Sequence, residues 1–293
     1  MTTDPIERSV GEVLGIEVVS TSSVSGGDVA EARRVVLADG DVVFAKTHAA
    51  PPVSFFDTEA TGLGWLRDAA AADRLVDVPR VLAVRDDVLV LEWIDVGAER
   101  GWASTEATLG RGLAGIHRAS SPGFGRSDRR TTGSRALPNE PQPSWPEFYA
   151  SQRLIPLARL ALDEGALPAS SIQRIERVAG SLDRVGAADE PAVQLHGDLW
   201  AGNRLVDRSG RNWLIDPAAH GGHREFDLAM MRLFGGFGDD CFAAYNERSP
   251  LADGWRDRVP LHQLAPLVVH AIKFGGGYGA AVERALDASL RLV

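Results

Sequence analysis

The stretch His196-Gly197-Asp198-Leu199-Trp200-Ala201-Gly202-Asn203, followed by Trp213-Leu214-Ile215-Asp216, holds the residue types that phosphoryl transfer to an alcohol requires. An Asp, an Asn five residues on, and an Asp closing a short apolar run supply one proton acceptor and two oxygen donors. Magnesium is a hard cation that takes oxygen ligands in a tight octahedron and keeps several waters. The amide oxygen of Asn203 and the carboxylate of Asp216 can supply two ligands, and nucleotide phosphates the others. Asp198 has a different task. A carboxylate of ordinary pKa, about 3.9, is a weak base. In a loose phosphoryl-transfer transition state it needs only to orient the attacking hydroxyl and accept its proton late. A lone Asp is equally well explained as a turn or cap residue. The order, spacing and flanking strands of the whole set favour the transfer chemistry.

A second group upstream fits the same chemistry. Phe44-Ala45-Lys46 ends an apolar strand, and Glu59 follows thirteen residues later on a helical stretch. A strand-borne lysine held by a helix glutamate is the pair that grips the α- and β-phosphates of ATP. Lysine occurs only at Lys46 and Lys273, with arginine at every other basic position. Codon usage in a GC-rich genome accounts for that scarcity, yet a lysine retained at a strand end points to a role arginine does not fill. Gly26 and Gly27, in the turn Ser25-Gly26-Gly27-Asp28, either let backbone N–H groups approach phosphate or simply close a hairpin. Glu92-Trp93-Ile94 ends a strand, and its backbone is placed to bind adenine if the segment is a hinge. His196 reads as a buried brace for the loop. His196, His220 and His223 lack the spacing of a metal site.

These groups need elements to bring them together. Strands are expected over 17–23, 29–37 and 41–46, with Asp39-Gly40 as a hairpin turn. Phe56, Ala60, Leu63 and Leu66 recur at helical spacing over 55–72. Two short strands follow at 81–84 and 88–93. The pattern gives an N-terminal five-stranded antiparallel sheet with one helix, spanning 1–94. A mainly helical region follows over 95–293. It has helices expected at 105–118, 147–166 and 170–185, short strands at 193–195, 204–206 and 213–215, and helices from 225 broken by glycines at 235–236 and 275–277. The fold class is therefore α+β in two lobes. The proline-rich stretch 123–146 is long for an idle loop.

Composition narrows the field. The chain has 293 residues, 24% charged, with a net charge of -9, and no basic stripe for nucleic acid. A single cysteine, Cys241, suits a reducing cytoplasm and reads as an inert buried thiol. The first ten residues lack the apolar run of a signal peptide, and no stretch approaches the roughly 20 apolar residues of a membrane span.

Several motifs together resemble the fructosamine-3-kinase (ketosamine-3-kinase) family. They are His196 to Asn203, Ile215-Asp216-Pro217-Ala218, Arg224 to Met230, Leu233-Phe234-Gly235-Gly236-Phe237, Ser25 to Asp28 and Lys273 to Tyr278. The resemblance runs from about Glu12 to about Ala280. The catalytic loop alone also suits aminoglycoside phosphotransferases and choline kinases; Trp200 and the Leu-Phe-Gly-Gly-Phe run narrow it. The resemblance implies a protein-kinase-like fold, with ATP and Mg2+ as cofactors. It implies phosphorylation of the 3-hydroxyl of a ketosamine, either a small molecule or a glycated protein amine, followed by release of the amine. It matches Asp198 to the catalytic base, Asn203 and Asp216 to the metal ligands, and Lys46 and Glu59 to the phosphate-binding pair. It matches Asp227 to an acid bracing the loop. Trp200 matches an aromatic that stacks on the acceptor, although core packing also explains a tryptophan. The segment Thr131 to Glu140 departs from the family pattern, which leaves the acceptor open.

Overall fold

The computed structural model describes residues 5–24, 30–97 and 102–293. Gly26 and Gly27 lie outside the described residues. The hairpin expected at Asp39-Gly40 joins β2 (Glu31–Leu37) to β3 (Val42–Thr47), with Leu37 N–H donating to the Asp41 carbonyl at 2.9 Å. With β1 (Val18–Ser23), β5 (Val81–Arg85) and β6 (Val88–Glu92) they form a five-stranded antiparallel sheet in the order β1-β2-β3-β6-β5. α2 (Phe55–Ala70) enters after β3 and buries Phe56, Leu63 and Leu66 on one face, as their three- and four-residue spacing requires.

Two features of this half correct the sequence reading. This half holds two helices among its described residues rather than the single one expected: α1 (Pro5–Leu14) precedes the sheet. Ile6 and Val10 lie four residues apart and pack on Val35, Val43 and Val90, covering a sheet face that α2 does not reach. An amphipathic stripe needs no long apolar run, so the polar residues between Ile6 and Val10 conceal it in the sequence. The other feature is β4 (Val76–Asp77), which pairs in parallel with β9 (Asn212–Leu214) from the far half of the chain. Two residues carry no periodicity to read.

The remainder is mostly helical. α3 (Trp102–Ile116) leads to the long loop. Then α4 (Trp145–Tyr149), a π-turn (Ala150–Leu154) and α5 (Ile155–Asp163) run on continuously, before α6 (Ala169–Ala179). β7 (Val193–Leu195) pairs with β10 (His220–Gly222), a strand not foreseen, and β8 (Arg204–Val206) pairs with β9. Asp198, Asn203 and Asp216 sit in the turns between these strands. α7 (Glu225–Leu233), α8 (Asp239–Arg248), α9 (Trp255–Phe274) and α10 (Gly277–Ser289) complete the chain, with the glycine breaks where expected. No helix among the described residues is long and apolar enough to cross a membrane.

One buried apolar cluster joins the halves: it includes Phe56, Leu63 and Leu89 together with Leu109, Leu199 and Leu214. The proline-rich loop is pinned as well. Arg126, fully buried, donates to the Ala219 carbonyl at 2.7 Å and grips Asp128 with two nitrogens at 2.9 and 2.7 Å. Asn139 accepts from Arg153 at 2.6 Å.

The β8–β9 hairpin is fixed by a buried ion pair. Arg204 contacts Glu106, donates to Asn212 Oδ1 at 2.9 Å, and donates to Thr105 Oγ1 at 2.7 Å. Glu106 also accepts from Gly238 N–H at 3.0 Å. Removing one partner of a buried pair strands the other charge. Glu106→Ala is therefore expected to lower unfolding free energy by roughly 3 kcal/mol, read by urea denaturation. A change below about 0.5 kcal/mol would contradict this role for the pair.

Candidate active site

Lys46, near the end of β3, reaches two carboxylates. Its Nζ donates to Glu59 Oε1 on α2 at 2.7 Å and to Asp216 Oδ1, which lies 170 residues away in sequence. Lys46 and Glu59 are almost fully buried, whereas the Asp216 side chain is 41% exposed. Burial alone would strip the proton from Lys46. Glu59 and Asp216 outweigh that effect and raise its pKa, so the ammonium stays charged. Burial pushes Glu59 up, and Lys46 draws it back.

The catalytic turn is held by a buried acid. Asp227, on the first turn of α7, accepts from His196 N–H at 2.7 Å and from Gly197 N–H at 2.9 Å. Burial opposes its charge, but the hydrogen bonds from His117 and Gly197 prevail and keep its pKa low. Gly197 has a φ of 81°, and a Cβ there would lie 2.2 Å from the Ala218 carbonyl, so the turn admits no side chain. His196 donates from Nε2 to the Ile215 carbonyl at 2.9 Å and accepts Asp198 N–H on Nδ1 at 3.3 Å. Burial lowers its pKa and keeps it neutral, as the brace role requires. His220 and His223 also donate to backbone carbonyls and are neutral, pushed down by burial to about 3 and about 4.

Asn203 sits between the two acids. Its Nδ2 donates to the Asp198 carbonyl at 2.8 Å, to Asp198 Oδ2 at 3.3 Å and to the Asp216 carbonyl at 3.4 Å. Those acceptors fix the amide orientation and leave Oδ1 as its donor atom for a cation. Asp216 has a φ of 58°, a left-handed conformation that a non-glycine residue holds at some cost and that recurs at functional sites. Asp198 is pushed up to about 7, first by burial and then by the charge of Asp216, while Asn203 pulls the other way. A proton acceptor near neutrality is better matched to its task than an ordinary carboxylate.

Trp200 projects from the loop, 41% exposed, with its ring lying over Gly202, where a Cβ would come within 2.2 Å of the indole. It meets Phe234 edge-on at 6.3 Å. A side chain exposed to this extent is not packed in the core. Glu92 stands apart from the phosphate site. Its carboxylate accepts from Arg80 N–H at 2.7 Å and Arg80 Nε at 3.0 Å, and lies 3.5 Å from Arg67. Trp93 lies beneath the Arg34 guanidinium at 5.5 Å, and Ile94 is buried.

Two supports escaped the sequence reading. His117, just past α3, donates from Nε2 to Asp227 Oδ2 at 3.1 Å, and Tyr245 on α8 donates to its Nδ1 at 2.8 Å. A lone histidine after a helix and a tyrosine 128 residues further on carry no spacing signal.

The two lobes and the lysine–glutamate–aspartate convergence define a kinase-like phosphotransferase. The profile of the fructosamine kinase family matches residues 3–292, and the chain belongs to that family. A protein-ribulosamine 3-kinase of Arabidopsis thaliana is 32% identical over 304 residues, covering 100% of this chain and 90% of its own. The crystal structure of a candidate fructosamine-3-kinase from Thermobifida fusca superposes with a TM-score of 0.88 at 39% identity over 99% of both chains. An ADP-bound aminoglycoside phosphotransferase has a TM-score of 0.65 at 15% identity over 98% of both chains, a likeness of fold alone.

Two outcomes follow from this geometry. Lys46→Met removes the charge shared by Glu59 and Asp216 and is expected to lower kcat/KM for ATP by about a hundredfold. A loss under threefold would place the nucleotide elsewhere. Because Asp198 accepts a proton only when ionised, kcat/KM is expected to climb through a pH of about 7 and to level off above it. A profile flat from pH 5 to 9 would contradict this assignment.

Proposed function

We propose that this protein transfers the γ-phosphoryl group of ATP to the 3-hydroxyl of ketosamines, the adducts of a sugar and an amine. The observation that carries the reading is the meeting of Lys46, Glu59 and Asp216 beside the Asp198–Asn203 turn. In this reading residues up to 94 hold the nucleotide and residues 95–293 carry the chemistry and the acceptor.

Each side chain then has a task. Lys46, steadied by Glu59, binds the α- and β-phosphates. Backbone groups of 92–94 take the adenine. Asn203 Oδ1 and the Asp216 carboxylate are the hard oxygen donors for Mg2+, a donor set that fits the ion. Mg2+ supplies charge neutralisation on the phosphate oxygens. Asp198 orients the 3-hydroxyl and takes its proton as the oxygen bonds to the γ-phosphorus and the bond to the ADP oxygen breaks. Trp200 supports the sugar. Asp227, His196, His117 and Tyr245 hold the turn in place. The 3-phosphate formed is labile: it is lost by elimination and the amine is released, which makes deglycation the outcome. The buried Cys241 thiol, raised to about 12 by burial, suits a reducing compartment such as the cytoplasm and takes no part in the reaction.

The family membership favours a ketosamine over an aminoglycoside or choline as acceptor. A coupled ATP assay with Mg2+ on ribulosamine, fructosamine, aminoglycoside and choline acceptors is expected to register turnover on the first two. Asp198→Asn is expected to cut kcat by about a thousandfold while ATP affinity stays within threefold. Its melting temperature is expected to hold or rise, because a buried carboxylate crowded by Asp216 is gone. Asp198→Asn retaining near-normal kcat, or turnover confined to choline, would contradict the reading.

A further inference from the structure

The run Lys273-Phe274-Gly275-Gly276-Gly277-Tyr278 has no part in the phosphate site. It closes α9 and opens α10. A chain of ring contacts nevertheless connects it to the catalytic turn. Trp200 meets Phe234 at 6.3 Å, Phe234 meets His270 at 5.0 Å, and His270 meets Phe274 at 5.5 Å and Tyr278 at 5.1 Å.

Trp200, Phe234 and Phe274 are 41%, 42% and 55% exposed, and they are the exposed aromatic side chains among the large apolar ones described. Aromatic faces left open beside a catalytic carboxylate make a ligand surface. The rim is open too: a Cβ at Gly235, Gly275 or Gly276 would meet nothing within 4 Å. Lys273 lies along this strip with Nζ 5.0 Å from the Phe274 ring centroid.

In the ketosamine kinase reading, a ketosamine whose 3-hydroxyl faces Asp198 and whose amine half runs over Trp200 continues along this strip toward Phe234 and Phe274. Its secondary ammonium suits the faces of Trp200 and Phe234. When the amine came from an amino acid, a carboxylate follows one carbon further on. The chain's net charge of -9 disfavours that carboxylate everywhere except beside a local cation. A ketosamine on a protein lysine side chain carries no carboxylate at that position.

Resting on the ketosamine kinase reading, we propose that Lys273 is a specificity-determining residue that recognises the α-carboxylate of ketosamines built on amino acids. The test compares fructosyl-valine with fructosyl-valinamide, identical except for the carboxylate. Wild type is expected to have the higher kcat/KM on fructosyl-valine. In Lys273→Met that preference is expected to shrink about fivefold, the size of one exposed charge pair, with the loss in KM, and Lys273→Arg is expected to restore most of it. Equal losses on both acceptors, or an unchanged preference, would overturn the carboxylate assignment alone. Wild type phosphorylating neither acceptor would overturn the ketosamine reading and this assignment with it.

Discussion

The site depends on one buried ammonium held between two carboxylates that arrive from different parts of the chain. Lys46 retains its proton because Glu59 and Asp216 together exceed the desolvation that would remove it. That demand shapes the surroundings. α2 must dock with Phe56, Leu63 and Leu66 inward so that Glu59 faces β3. The β8–β9 hairpin must lie beside β4 so that the residue after Ile215 reaches the same point. The apolar cluster shared by the halves supplies the stiffness, since a shift of an ångström would separate the three charges.

Around Lys46 the acids are arranged by environment. Asp227 is buried, fully hydrogen-bonded and held ionised, which makes it a fixture. Asp198 is crowded by Asp216 and poorly solvated, which brings its proton affinity to neutrality. Asp216 contacts Lys46 and remains partly exposed. In the proposed reaction, phosphate oxygens and a cation take over the two halves of the Lys46–Asp216 contact. Three aspartates within one turn-rich segment thus sit in three different environments, which the proposed reaction would use for three separate tasks.

Much of this was legible in the sequence for physical reasons. The hairpin at Asp39-Gly40, the helical face of α2 and the glycine breaks after α7 and α9 are local signals, and local geometry obeys them. Asp198, Asn203 and Asp216 were readable because spacing in a tight turn fixes their relation. α1 was missed because four apolar residues on one stripe do not stand out in a polar segment. β4 and β10 were missed because two or three residues hold no periodicity and exist only through long-range pairing. His117 and Tyr245 were missed because the contacts that define them, His117 to Asp227 and Tyr245 to His117, each join residues more than a hundred positions apart. The Glu92 side-chain contacts with Arg80 and Arg67 were not legible, because Arg67 and Arg80 are distant in sequence and share no spacing with it.

The most direct test is a crystal structure with Mg2+ and a non-hydrolysable ATP analogue. The expected result has Lys46 Nζ on an α- or β-phosphate oxygen, the cation on Asn203 and Asp216, and the γ-phosphate facing Asp198. A triphosphate bound away from an intact Lys46–Glu59–Asp216 cluster would contradict the account.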